Sequence, residues 1–418
     1  MGFGIYIAGA LRRSGESSPA GSLRASVPPC ESIFCLIKAR LSGCAESRVC
    51  STPTAAPRRR PRWSSAWPAC CAIARPDAAG AYARGPVGLA VRRLAIVDPA
   101  GGAQPMVDEA AGVAVAFNGE IYNFRALRAL LRTHGHRFAT DCDTEVVLRA
   151  YQHYGHQCVE HLRGMFAFAV WDAPRRQLLL ARDRFGIKPL YYAWDGRTLV
   201  FGSELKALLE AGVSTALEAT ALDDFFTFNY IPAPRTIYRA VRKLPPAHTV
   251  SVTASGAVER EYWDLVFQPE ESDAATCAAR PGQGAARDRG AARTARARGL
   301  HCRRRRLGAL AALATEARGP SRRQLLDGVR GARVRRAALR ARWPSAAARR
   351  TKRCVPTRWR WSTGSPGTST SRSPTPRWST YHLCQLARTH VRVCCAGDGG
   401  DEIFAGYPRC RVPGAGDG

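Results

Sequence analysis

Residues 85–265 carry 20 basic and 19 acidic side chains, whereas the rest of the 418-residue chain holds a net charge of +29. This division constrains the fold more than any other feature, because uncompensated charge of that size opposes compaction. The balanced stretch reads as a normal globular domain, and the flanks do not. Of 63 basic residues only five are Lys, and 13 of the 15 cysteines lie outside the balanced stretch. No run of 18 apolar residues occurs, so no segment is predicted to cross a membrane as a helix. The cysteines show no zinc-type spacing and are odd in number, which argues against a secreted disulfide scaffold.

Residues 1–74 have no helical or strand period. The opening MGFGIYIAGALRR places its positive charges after its apolar run, the reverse of a secretory signal, so 1–74 is expected to be an aberrant or disordered leader. From Val266 to Val393 there are 29 basic residues, 28 of them Arg, against six acidic ones. Such a stretch could serve as a nucleic-acid arm. Its shortage of Lys and its Cys and Trp content favour instead a coding segment read out of frame, over 266–380. A helix leading into a strand is expected again near Tyr381.

Within the balanced stretch, Val87–Val97 and Gly112–Phe117 have strand character. Asn123 is placed to cap a helix with apolar positions Leu127, Leu130 and Leu131, stopped by Gly135. A second helix runs from about Thr144 to Tyr154 and closes at Gly155. MFAFAVWD, RQLLLARD, KPLYYAWD and RTLVFGS follow as four strands divided by Asp-Ala-Pro and Asp-Gly turns. The pattern predicts a layered α+β domain.

Three places can carry chemistry. In FNGEIYN, the Asn118 side-chain amide and the Gly119 N–H are two donors that could meet one oxygen, as acyl transfer requires. Taken alone, an Asn-Gly pair is more often a hairpin turn. Arg93 in VRRLAIVD could clamp a carboxylate bidentately, or be an ordinary strand Arg. Asp143, opening DTEVVLRAY, taken by itself reads as a helix N-cap.

The order RRLAIVD, GGAQPM, FNGEIYN, DTEVVL, GMFAFAVWD, ARDRFGIKPLYY and FGSELKAL resembles the glutamine amidotransferase domain of asparagine synthetases, over about Arg75 to Leu265. Tyr262–Trp263 resembles the end of the linker to the synthetase domain, and GDGGDEIFAGYPR resembles that domain's signature. Amidotransferases of purine synthesis fit less well.

The resemblance implies an N-terminal nucleophile fold, a four-layer αββα sandwich, at 75–213 and a linker at 214–265. A truncated remnant of an α/β, ATP-pyrophosphatase-like synthetase domain is implied at 381–418. Arg93 would hold the α-carboxylate of glutamine, Glu120 and Asp143 would face its α-ammonium, and Asn118 with Gly119 would form the oxyanion hole. In the second domain Ala396 and Gly397 would touch ATP, and Asp398 would assist β-aspartyl-AMP formation, with Mg²⁺ on the phosphates. The implied activity is ATP-dependent amidation of aspartate with ammonia from glutamine, in the cytoplasm, with the oligomer left open and a homodimer one candidate.

The sequence departs from that pattern in four places. Position 2 is Gly where the family has its nucleophilic Cys, and HRGPD survives only as Ala74-Arg75-Pro76-Asp77. No SGGxDS loop lies between Leu265 and Tyr381, and Ala396 stands where the family usually has Ser. Impaired turnover is therefore expected. The alternatives are a glutamine-binding protein without hydrolysis and, less favoured, an Arg-rich nucleic-acid binder.

Overall fold

The computed structural model describes residues 78–93, 97–98 and 100–267, together with the backbone of seven short strands elsewhere. The chain divides into two compact units, one of residues 11–267 with 364–374 and one of residues 1–10, 268–363 and 375–418.

The larger unit is built on two antiparallel sheets. One runs β6 (Met106–Asp108), β7 (Val113–Ile121), β8 (Gly164–Asp172), β9 (Gln177–Arg182), β13 (His248–Thr253) and β14 (Gly256–Glu261), in that spatial order. The other runs β12 (Arg242–Lys243), β10 (Tyr191–Trp194), β11 (Thr198–Gly202), β3 (Ile37–Arg40) and β5 (Val87–Arg93). On this second sheet β5 also pairs with β2 (Ile33–Cys35) and β4 (Ala78–Arg84). β3 thus lies between β11 and β5.

Strand alternation builds the layers, since successive side chains leave opposite faces of a sheet. On the second sheet Tyr192, Leu199 and Phe201 enter the main core with residues of β7, β8 and β9, so the sheets pack face to face. Their neighbours Tyr191, Ala193 and Val200 point the other way and pack with Leu205, Ala207 and Leu208 of a short helix. Helices also cover the outer face of the first sheet: α1 (Phe124–Thr133), α2 (Asp143–Tyr154) and the single turn α3 (Cys158–His161). The short helix on the far side is α4 (Leu205–Glu210), and α5 (Ala219–Phe228) follows it. The result is helix, sheet, sheet, helix: the expected αββα sandwich.

The four strands expected after residue 164 are β8 to β11. Asp195 turns the last pair, its carboxylate accepting from the N–H groups of Arg197 at 2.9 Å and Thr198 at 2.6 Å. The segment 214–265, expected as a linker, contains α5 and the β13–β14 hairpin, and β13 pairs with β9 over Thr249–Val252.

Local expectations fail in three places. Asn123 precedes α1 but makes no side-chain cap. Instead its amide donates to His161 O at 2.9 Å and its carbonyl accepts from Arg163 N at 2.9 Å, fastening α3 to β8. Of the apolar trio on α1, Leu127 and Leu131 are buried while Leu130 stays 45% exposed. The Asn118-Gly119 pair is not a turn, because β7 runs straight through it to Ile121.

In the smaller unit, β15 (Gly299–Cys302), β16 (Arg323–Asp327), β17 (Arg350–Cys354) and β18 (Val393–Cys395) pair in parallel in the order β18-β15-β16-β17. β1 (Ile5–Ile7) pairs antiparallel with β18 at the edge. Parallel pairing is characteristic of α/β sheets. β15, β16 and β17 lie within 266–380, where no strand was expected, and only β18 falls in the 381–418 segment.

Candidate functional site

Four polar residues marked by the sequence are buried where apolar side chains would be the rule: Arg93, Asn118, Glu120 and Asp143. Arg93 ends β5, Asn118 and Glu120 lie near the end of β7, and Asp143 opens α2. Strand period places the Asn118 and Glu120 side chains on one face of the first sheet. Asn118 Nδ2 donates to Ser203 Oγ at 3.1 Å, just beyond β11, so that face looks across to the second sheet.

Arg93 reaches this end through the loop that follows its strand. Its Nη2 donates to Val97 O at 2.7 Å and Asp98 O at 3.0 Å. Asp98 closes the loop with its side chain, accepting from Gly101 N and Asp141 N, both at 2.9 Å. Those N–H bonds, Gly101 first, hold the Asp98 carboxyl below its ordinary range. Gly102 then passes directly over the guanidinium: a Cβ there would lie 2.3 Å from Arg93 Nη2 and 2.7 Å from Cys142 Sγ. Only glycine lets the backbone come so close.

Asp143 is not the cap of α2; the chain enters at Cys142, and Asp143 is already helical. Its Oδ2 accepts from Ile121 N at 3.1 Å, which ties the helix start to the end of β7. Gln104 makes a parallel tie, accepting from Phe117 N at 2.9 Å and donating to Thr144 Oγ1 at 3.1 Å.

These two ties reveal where the Gly119 N–H points. Phe166, opposite Gly119 on β8, directs its own N–H to Asp183 Oδ2 at 3.2 Å and accepts from Asp183 N at 2.8 Å. Phe166 and Gly119 therefore face each other as a non-hydrogen-bonded pair, and alternation turns the Gly119 N–H to the far edge of β7. It emerges there between the N–H groups of Phe117 and Ile121. A Cβ at Gly119 would sit 2.1 Å from Met165 O, so glycine is required by the strand beside it.

The charges in this cluster are coupled. Burial above all, and then the Asp143 carboxylate, push the Glu120 carboxyl well above its ordinary range, against the pull of Arg93. Burial raises Asp143 as well, partly offset by the Ile121 N–H. The site thus offers one guanidinium, two carboxylates that resist joint ionisation, a side-chain amide and an outward N–H. That set can hold a small zwitterion and place an oxygen against two donors.

Sequence reasoning assigned no role to Ser203, Gln104, Asp98 or Gly102, although each lies in or beside a motif it quoted. Asp183 is another: its carboxylate accepts from the N–H groups of Phe166, Phe185, Ile187 and Lys188 at 2.9–3.2 Å and so shapes the loop after β9. Ala396, Gly397 and Asp398 lie outside the described residues.

Comparison with known proteins finds two family matches. The glutamine amidotransferase domain family matches residues 57–263, and the asparagine synthase family matches residues 368–415. The sandwich lies within the stretch that matches a glutamine amidotransferase domain. "Asparagine synthetase [glutamine-hydrolyzing] 3" of Bacillus subtilis is 40% identical over 178 residues, covering 42% of this chain and 29% of that protein. A "Putative asparagine synthetase [glutamine-hydrolyzing]" of Mycobacterium bovis is 42% identical over 183 residues, covering 40% and 28%. The solved glutamine phosphoribosylpyrophosphate amidotransferase of B. subtilis, complexed with ADP and GMP, aligns at 21% identity with a TM-score of 0.33, covering 43% of this chain and 35% of that one. This chain is thus similar to the glutamine-hydrolysing asparagine synthetases, through a glutamine amidotransferase match over residues 57–263 and a short asparagine synthase match over 368–415. It spans about three tenths of the length of the curated relatives just described.

Proposed function

We propose that the larger unit binds glutamine in the Arg93–Asp143 pocket, as the ammonia-supplying half of an ATP-dependent asparagine synthetase. One observation supports this reading best: a guanidinium, two carboxylates and the Asn118 amide are all buried at one end of the sandwich, beside the half-buried Gly119. In this reading Arg93 holds the α-carboxylate of glutamine, while Glu120 and Asp143 receive the α-ammonium. Asn118 Nδ2 and Gly119 N–H then face the side-chain carbonyl and stabilise the oxyanion that forms on it when a nucleophile attacks.

The acceptor half is assigned to the segment matching asparagine synthase, with Ala396 and Gly397 on ATP and Asp398 assisting adenylation of aspartate. Mg²⁺ would neutralise phosphate charge there. In the family's reaction ammonia freed from glutamine would displace AMP from the activated carboxylate. With Gly at position 2 this chain lacks the family's nucleophilic Cys, and its release of ammonia is impaired in this reading.

Titration calorimetry with glutamine tests the first half. Two charge-assisted contacts support binding at around the millimolar level, near −4 kcal/mol, once the entropy of capture is met. Arg93→Ala should abolish it. Arg92 points from the opposite face of β5, so Arg92→Ala should change little. Equal loss from both substitutions would reject the pocket.

A further inference from the structure

The Asn118 side chain shows an imbalance that the pocket itself does not explain. Its Nδ2 donates to Ser203 Oγ at 3.1 Å, while its Oδ1 is buried without a hydrogen-bond partner among the described residues. Both residues are 2% exposed, so solvent does not satisfy the missing bond. An unpaired buried acceptor is costly. The two ends of an amide differ little in size, so turning the group over changes its hydrogen bonds and hardly its packing.

Turned over, the arrangement balances. Oδ1 then accepts from the Ser203 hydroxyl, which can donate as readily as it accepts. Nδ2 takes the unpartnered place and keeps its hydrogens for an incoming group. The N–H of the next residue, Gly119, is directed off the edge of the same strand.

We infer that Ser203 is a positioning residue: its hydroxyl fixes the Asn118 amide with Nδ2 turned toward the substrate carbonyl, making the amide a committed donor. The inference rests on the glutamine reading of the pocket and adds a residue to it. Ser203 suits the task because it immediately follows β11 and is held just before α4 begins at Leu205, so its Oγ has little freedom. Without the hydroxyl, the amide can present its carbonyl oxygen to the substrate, and two oxygens repel.

The test uses the full chain and glutamine carrying ¹³C at its side-chain carbonyl, read by isotope-edited infrared spectroscopy. In the unaltered protein the bound carbonyl band should move to lower frequency than in water. Ser203→Ala should leave glutamine affinity within about threefold, because the carboxylate and ammonium contacts remain, yet lose most of the band shift. Ser203→Thr, which keeps a hydroxyl, should restore it. A full shift in Ser203→Ala would overturn the inference. So would parallel loss of affinity and shift in both variants, which marks a purely structural role. If unaltered protein shows neither heat of binding nor a band shift, and Arg93→Ala changes nothing, the glutamine reading itself falls, and the Ser203 inference with it.

Discussion

The carboxylate of Asp143 accepts a hydrogen bond from the backbone N–H of Ile121 at 3.1 Å, joining the first residue of α2 to the last of β7. One side chain therefore both seats a helix on a sheet and supplies charge to the site.

The two roles can be separated. Asp143→Ala leaves the buried Ile121 N–H without its acceptor and should lower stability by about 1–3 kcal/mol. Asp143→Asn keeps an oxygen for that N–H and should recover most of this loss in denaturant unfolding. Both variants should still bind glutamine at least tenfold more weakly, because neither offers a carboxylate to the ammonium. Full affinity in Asp143→Asn would show that Asp143 is structural only.

Gly119→Ala should be among the most damaging single substitutions in the domain. The new methyl would meet Met165 O at 2.1 Å and Phe166 Cα at 2.7 Å, both backbone atoms that cannot swing aside. Separating β7 from β8 at the centre of the sheet should cost at least about 2 kcal/mol, at the upper end of overpacking effects. Thermal unfolding and the yield of soluble protein measure it. Gly135→Ala is the control, since a Cβ there meets nothing and the substitution brings only the strain of a positive φ.

Much of this fold was legible because it is local. The runs from Gly164 to Gly202 announce strands by alternation, and Asp195-Gly196 announces a turn by the side-chain bonds Asp makes to the residues after it. The site was legible only in part. Arg93, Asn118, Gly119, Glu120 and Asp143 were marked by motif order, yet their local readings as strand Arg, hairpin turn and helix cap were mostly wrong. Asn118 and Ser203 are 85 residues apart and Gln104 and Thr144 are 40 apart, distances over which periodicity carries no information. Asn123 misled for the same reason: its partners at His161 and Arg163 outcompete the local cap.

Cys142 should be inert despite its place beside Arg93. Burial, and then the Asp143 carboxylate, push its thiol up to about 12, outweighing the Thr144 bonds and the guanidinium. At pH 8 only on the order of 10⁻⁴ of it is thiolate, and the thiolate is the reactive form. Mass-spectrometric mapping after brief alkylation at that pH should find Cys142 unmodified in the folded chain and labelled in denaturant. Rapid labelling without denaturant would mean that the pocket opens, or that the thiol is activated.

The last prediction concerns protons. Glu120 lies well above its ordinary value of 4.5, through burial first and the facing Asp143 carboxylate second, with Arg93 opposing. The raised direction fixes the signs. Between 4.5 and that higher value the empty folded site keeps a proton that the unfolded chain has released. Stability of the empty domain should therefore fall as pH rises through this window. Glutamine binding should move the other way. An α-ammonium favours both carboxylates ionised, so binding expels the shared proton and affinity should rise by up to about tenfold per pH unit. Calorimetry from about pH 5 to pH 8, in buffers of different ionisation enthalpy, reads the released proton directly. Glu120→Gln removes the titrating group. It should flatten both profiles, weaken glutamine at the alkaline end and stabilise the empty domain there, because a neutral amide is buried in place of a charge. An affinity that is constant across the window, with a binding heat independent of buffer, would show that Glu120 is already ionised in the empty site.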